Sequence, residues 1–190
     1  MKSIQQAWFL VAALLLAAVP AVADKYSDTV ELFKNAGQSG HFFAKSYGYA
    51  VFPTIGKGGV GVGGAYGEGQ VYEQGKHVGD VKMTQLSIGM QLGGEGYSQI
   101  VFFEDKRAFD EFTSGSFEFG ANMNAVVITA AASGSAGSAG TSVAASGGKK
   151  DAATAGGYHK GMAVFKIAKG GLMYEASVSG QKFKYQALGK

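Results

Sequence analysis

The chain has 190 residues, with 31 glycines, no cysteine and a formal charge of +3. One domain suits that length, the glycine share disfavours a mostly helical protein, and 46% hydrophobic with 12% aromatic residues argues against disorder. Lack of cysteine excludes disulfides, thiolate zinc sites, cysteine nucleophiles and a lipid-modified N-terminal cysteine, and the charge is too small to argue for nucleic acid.

Residues 1–23 have the three parts of a secretory signal. Lys2 gives a positive start, Trp8 to Ala18 an apolar run, and Ala21-Val22-Ala23 a small-x-small cleavage site. The sequence therefore predicts export, with Asp24 as the first mature residue and residues 24–190 as one domain. Without a lipidated cysteine, the periplasm is the expected location.

Ser27 to Ala36 reads as a short helix, capped by Ser27 and stopped by Gly37. A second short helical stretch is indicated at His41 to Ser46. Tyr47 to Phe52 reads as a strand ended by Pro53. Lys57 to Tyr66, Gly69 to Glu73 and Val78 to Leu92 also have β-type composition, with Gln74-Gly75 as a turn signal. Gly96 to Glu104 is a further strand. Asp105 caps a helix over Lys106 to Thr113, with Phe109 and Phe112 on its inner face. Met123 to Ala130 reads as a buried strand. Met162 to Ile167 and Leu172 to Val178 read as a hairpin around Lys169-Gly170-Gly171, before a last strand at Gln181 to Tyr185.

The segment at about 131–157 is almost all Ala, Gly, Ser and Thr. Such composition buries little surface, so a loop is expected, with a close-packed small-residue segment as the alternative. Seven glycines fall between Gly58 and Gly69. Glycine is tolerated in strands where a sheet bends, bulges or meets another backbone or ligand closely. The predicted fold is α+β: a mainly antiparallel, strongly curved, barrel-like glycine-rich sheet with short helices packed on it.

Catalytic patterns do not assemble. Gly59 to Gly64 spells G-x-G-x-x-G, but Ala65-Tyr66-Gly67-Glu68-Gly69 cannot open the helix that dinucleotide binding needs. His41, His77 and His159 have no metal spacing, and no cofactor is implied. Glu104, Asp105, Asp110 and Glu111 read as a solvated helix face. No enzyme is predicted. The positive charges are more suggestive: the last third carries Lys149, Lys150, Lys160, Lys166, Lys169, Lys182, Lys184 and Lys190 against only Asp151 and Glu175. Such lysines suit either anionic lipid headgroups or an edge strand protected against aggregation.

Several runs together resemble the SYLF domain. They are Gly48-Tyr49-Ala50-Val51-Phe52-Pro53, Gly58 to Gly67, Thr84 to Gly89, Gln91 to Gly94, Tyr97 to Glu104, Gly161 to Phe165 and Gly170 to Ala176. They occur in order over nearly all of residues 24–190. The resemblance implies a lipid-binding module. Eukaryotic members bind phosphoinositides and some bind actin, whereas bacterial members are exported envelope proteins. Actin binding does not transfer to an exported chain, and phosphoinositide specificity is in doubt where that lipid is absent.

The expectation is a non-catalytic, exported phospholipid-binding module at the bacterial cell envelope. Its partner would be phospholipid or an anionic membrane surface. Candidate headgroup contacts are Lys57, Lys160, Lys166, Lys169, Lys182 and Lys184, which stand beside glycine or aromatic residues. Phe33, Phe42 and Phe43 could add apolar contact, or could pack onto the sheet. Strong salt dependence would follow from headgroup charge. The alternative is a structural or adaptor protein of the envelope that binds another protein. An outer-membrane β-barrel would need eight or more clean strands, and fewer are visible.

Overall fold

The computed structural model describes residues 21–36, 39–120, 126–128 and 157–189. In chain order these form helix α1 (Ala21–Asn35), a 3-10 turn (Ser39–Phe42), strands β1 (Gly48–Glu73) and β2 (Lys76–Phe103), and helix α2 (Lys106–Thr113). Strands β3 (Ser116–Phe119), β4 (Val126–Ile128) and β5 (Met162–Ala187) complete the set. Nearly all of the leader and of the small-residue segment lies outside the described residues. The expected cleavage site falls at the start of α1.

The sheet order is β1-β2-β5-β3, with β4 also on β5. All pairings are antiparallel except the short parallel β4–β5 ladder. The β1–β2 register runs from Gly48↔Phe103 to Glu73↔Lys76. Its turn, Gln74-Gly75, has both residues at positive φ (48° and 83°), the conformation that two-residue hairpins favour. β5 then follows β2 from Gly79↔Ala187 to Phe103↔Met162.

Three expected breaks are absent. Pro53 does not end its strand, because β1 bulges between Phe52 and Ile55 and needs no N–H there. Ser98 Oγ donates to the Pro53 carbonyl at 2.7 Å. Lys169-Gly170-Gly171 is not a turn. It continues β5 with Lys169 as a one-residue bulge, because β2 supplies partners on both sides, Tyr97 for Ala168 and Gly96 for Gly170. For the same reason the separate strands expected between Tyr47 and Glu104 merge into β1 and β2.

A 26-residue strand would span about 85 Å if straight. β1 instead doubles back. A Cβ on Gly69 would lie 2.7 Å from the Phe52 ring and from the Val51 carbonyl, and one on Gly67 would lie 2.5 Å from Ile55 Cγ1. The line of folding falls at Gly61, whose φ is +69°. There β2 takes the outer path: Val60 pairs with Leu92 and Val62 with Ile88, so Gly61 alone faces Gly89, Met90 and Gln91. The barrel-like, strongly curved sheet is thus corrected. The sheet is open, with β1 and β3 at its ends, and is not curled round into a barrel. Its glycines serve one line of folding and the close approach of the two layers.

Between the layers lies the larger core, including Phe52, Ile55, Val81, Met83, Val101, Phe103 and Phe183. α2 closes one end. Asp105 Oδ1 accepts from the Ala108 amide at 2.8 Å, and Phe109 and Phe112 turn inward. Phe112 meets Phe183 at a ring separation of 5.1 Å. Further along, Gln181 donates to Gln85 at 3.0 Å and exchanges two 3.2 Å bonds with Gln99. Gln85 and Gln181 are register partners, whereas Gln99 reaches them from the other layer. These amides satisfy one another across the fold.

A second core covers the outer face of one layer. Tyr26, Val30 and Phe33 of α1 pack on Val51, Ile100, Phe102 and Phe165. Phe42 and Phe43 lie against the Phe102 ring at 5.5 and 4.9 Å. Phe33, Phe42 and Phe43 therefore serve packing. Ser39 Oγ donates to the Phe33 and Ala36 carbonyls and ties off α1.

Two expectations follow. Phe183→Ala should lower unfolding free energy by about 3–5 kcal/mol in urea titration, because the ring is fully buried at the centre of the larger core. Burial also raises the Tyr49 phenol to about 12. An unfolded tyrosine ionises near ~10. Stability should hold below pH ~10 and fall as pH rises towards 12, because only the unfolded chain ionises in that window. Tyr49→Phe should shrink that alkaline loss in melting curves taken across the window.

Candidate functional site: the uncovered sheet face

The six candidate lysines fall in three places. Lys160 sits at positive φ in the turn before β5, lining a cleft of about 200 Å³ with Glu111, Glu118 and His159. Lys57, Lys166 and Lys169 share one stretch of the sheet. Lys57 is the register partner of Glu95. Lys166 Nζ lies 4.9 Å above the Tyr97 ring, and Lys169 Nζ donates to Thr54 Oγ1 at 3.1 Å. Lys182 and Lys184 point outward from the far half of β5. Lys182 pairs with Glu118 at 2.7 Å. The lysines that the sequence groups together are therefore spread over different surfaces.

The structure instead brings together apolar residues. α1 covers the outer face of one layer. The outer face of the other carries no such helix among the described residues, and it holds large exposed hydrophobics: Val62 (58%), Leu86 (61%) and Ile88 (63%). Val62 and Ile88 are register partners, and Leu86 lies opposite Gly64. Val60 (75%) and Leu92 (59%), themselves partners, continue the patch onto the line of folding. Exposed apolar clusters of this kind mark contact sites, whereas single exposed hydrophobics do not.

Chemistry changes row by row away from the fold. The next row is Tyr66–Thr84–Lys182–Glu118, and the one after it is Glu68–Lys82–Lys184–Ser116. Tyr66 donates its hydroxyl proton to Glu68 Oε1 at 2.7 Å, and that bond raises the phenol pKa. Lys82 Nζ lies 3.8 Å from Glu68. The face thus passes from aliphatic, through a mixed row of Tyr66, Thr84 and the Lys182–Glu118 pair, to charged.

A sequence signal for this face existed. Along Val81-Lys82-Met83-Thr84-Gln85-Leu86-Ser87-Ile88 the apolar residues switch parity. Val81 and Met83 point inward with Gln85 and Ser87, while Leu86 and Ile88 stand on the outward positions with Lys82 and Thr84. An amphipathic strand keeps one parity, so the switch marks where the exposed face turns apolar.

Among the described residues, no group of three or more His, Asp and Glu side chains could hold a metal ion. No described helix is long and apolar enough to cross a membrane.

The sequence profile described as "Ysc84: Las17-binding protein actin regulator" matches residues 84–186. The chain is also similar to "Beta cell expansion factor A" of Aeromonas veronii, at 29% identity over 156 residues, covering 81% of this chain. It spans 51% of that relative's length, about half. No solved structure matches.

Lys182→Ala should change stability by at most ~1 kcal/mol, because its ion pair is exposed. Gln181→Leu should cost more, about 1–3 kcal/mol, by stranding the buried Gln85 and Gln99 amides. Urea titration of both variants checks the contrast.

Proposed function

The chain belongs to the Ysc84/SYLF family, and on that footing we propose that it is an exported, non-catalytic module that binds phospholipid at the bacterial cell envelope. The family is associated with lipid binding. The observation that carries the reading here is the apolar face at Val62, Leu86 and Ile88, held out to solvent by a sheet whose opposite outer face is covered. A folded domain does not need those side chains exposed, and each gains about 1.5–3 kcal/mol when fully removed from water. The leader-like residues 1–23 support export to the periplasm. The activities named for the family profile and for the relative remain theirs.

The spread of the lysines changes the expected electrostatics. Lys182 and Lys82 already face carboxylates, so headgroup charge supplies a modest share of binding. Co-sedimentation of the purified protein with vesicles at low and high salt tests the reading. Binding to phosphatidylcholine vesicles and to phosphatidylglycerol-containing vesicles is expected, with salt weakening it only a few-fold. Absence of binding to both at low salt would remove the lipid reading and leave a protein partner as the reading to pursue.

A further inference from the structure

We infer that the protein docks on the bilayer by its line of folding, with the Val62–Ile88 and Leu86 rows entering one leaflet and the Lys182–Lys184 edge stopping at the headgroups. The inference rests on the lipid reading above and adds the surface, the orientation and the depth.

Three observations carry it. First, the exposed aliphatic residues are contiguous in register and lie at an extremity of the sheet, where β1 turns at Gly61. An edge of this kind can enter a soft phase without the rest of the molecule following. Second, the order of chemistry along the strands is that of a leaflet: Val62, Ile88 and Leu86, then a row that sets the Tyr66 ring and hydroxyl beside Thr84 and the Lys182–Glu118 ion pair, then the row of Glu68, Lys82 and Lys184. Tyrosine favours the boundary between hydrocarbon and headgroup because its ring is apolar and its hydroxyl polar. Third, the charged border leans cationic. Lys82, Lys182 and Lys184 stand there against Glu68 and Glu118, and those two acids accompany Lys82 and Lys182. Among the described residues Lys184 has no acid paired with it, and it can meet a phosphate. A flat protein partner would give no reason for this order of aliphatic, mixed and charged rows.

The depth follows from strand geometry. Val62 to Tyr66 is four residues, about 13 Å at ~3.3 Å per residue. One leaflet of hydrocarbon is about 15 Å thick. The face reaches into one leaflet and does not cross.

The chain has no cysteine, so single cysteines can be introduced for labelling without background. The full chain would carry Leu86→Cys, Ile88→Cys or, as a control on the exposed side of α1, Glu31→Cys. Each is labelled with an environment-sensitive fluorophore and mixed with phosphatidylethanolamine–phosphatidylglycerol vesicles. The expected result is a blue shift at 86 and 88, quenched by lipids spin-labelled within the acyl region, and no shift at 31. In parallel, the double variant Leu86→Asp with Ile88→Asp should reduce vesicle affinity by at least ~tenfold. Both positions are exposed, so its circular dichroism and melting should stay those of the parent.

Vesicle binding by the parent with no shift at 86 and 88, or with full binding by the double variant, would overturn the inference and leave the lipid reading standing. No vesicle binding by the parent would overturn both. A shift at 86 and 88 that needs no vesicles and follows protein concentration would overturn the inference in favour of self-association through this face.

Discussion

The close approach of the two halves of β1 is the constraint on which the rest depends. Gly67 and Gly69 have no side chain, so Ile55 and Phe52 occupy the space where a Cβ would stand. Any larger residue there would push the layers apart and open the core between them. The doubling of β1 imposes the same course on β2, and β2 imposes it on β5 through their continuous ladder. One line of glycines in one strand thereby shapes three strands. The amides of Gln85, Gln181 and Gln99 then fix how the layers sit, since each needs the others to stay satisfied in a buried place.

This arrangement divides the surface. Each layer has an inner face, which closes the larger core, and an outer face. α1 and the 3-10 turn cover one outer face with aromatic packing. The other outer face carries exposed Val62, Leu86 and Ile88 near the fold and charged pairs farther away. The proposed lipid contact is a result of this division, because it places the apolar end of the uncovered face at an extremity.

The parts of the fold that local chemistry governs were legible in the sequence. The helix Lys106–Thr113 was read to its ends because Asp105 and the Phe109–Phe112 spacing are local signals. Gln74-Gly75 marked its turn for the same reason. Pro53 and Lys169-Gly170-Gly171 misled because their ordinary breaking effect is overridden by partners dozens of residues away. The barrel expectation failed similarly. Glycine density reports that backbones need freedom, but not whether the freedom goes to even curvature or to one fold. At the site, the lysines stand out as charges in the sequence, yet their neighbours in space are set by register. Leu86 and Ile88 are marked in the sequence only by the switch of parity after Met83, which shows that the pattern changes but not which side meets solvent; their exposure shows them facing out.

The placement of β5 also bears on how the chain is made. Phe183 belongs to the larger core and Phe165 to the smaller one, and both come from the last of the described strands. Neither core can close until that strand has been synthesised. Contacts so distant along the chain also form slowly. A chain of this design keeps both cores open while its earlier strands are being made, and closes them together at the end.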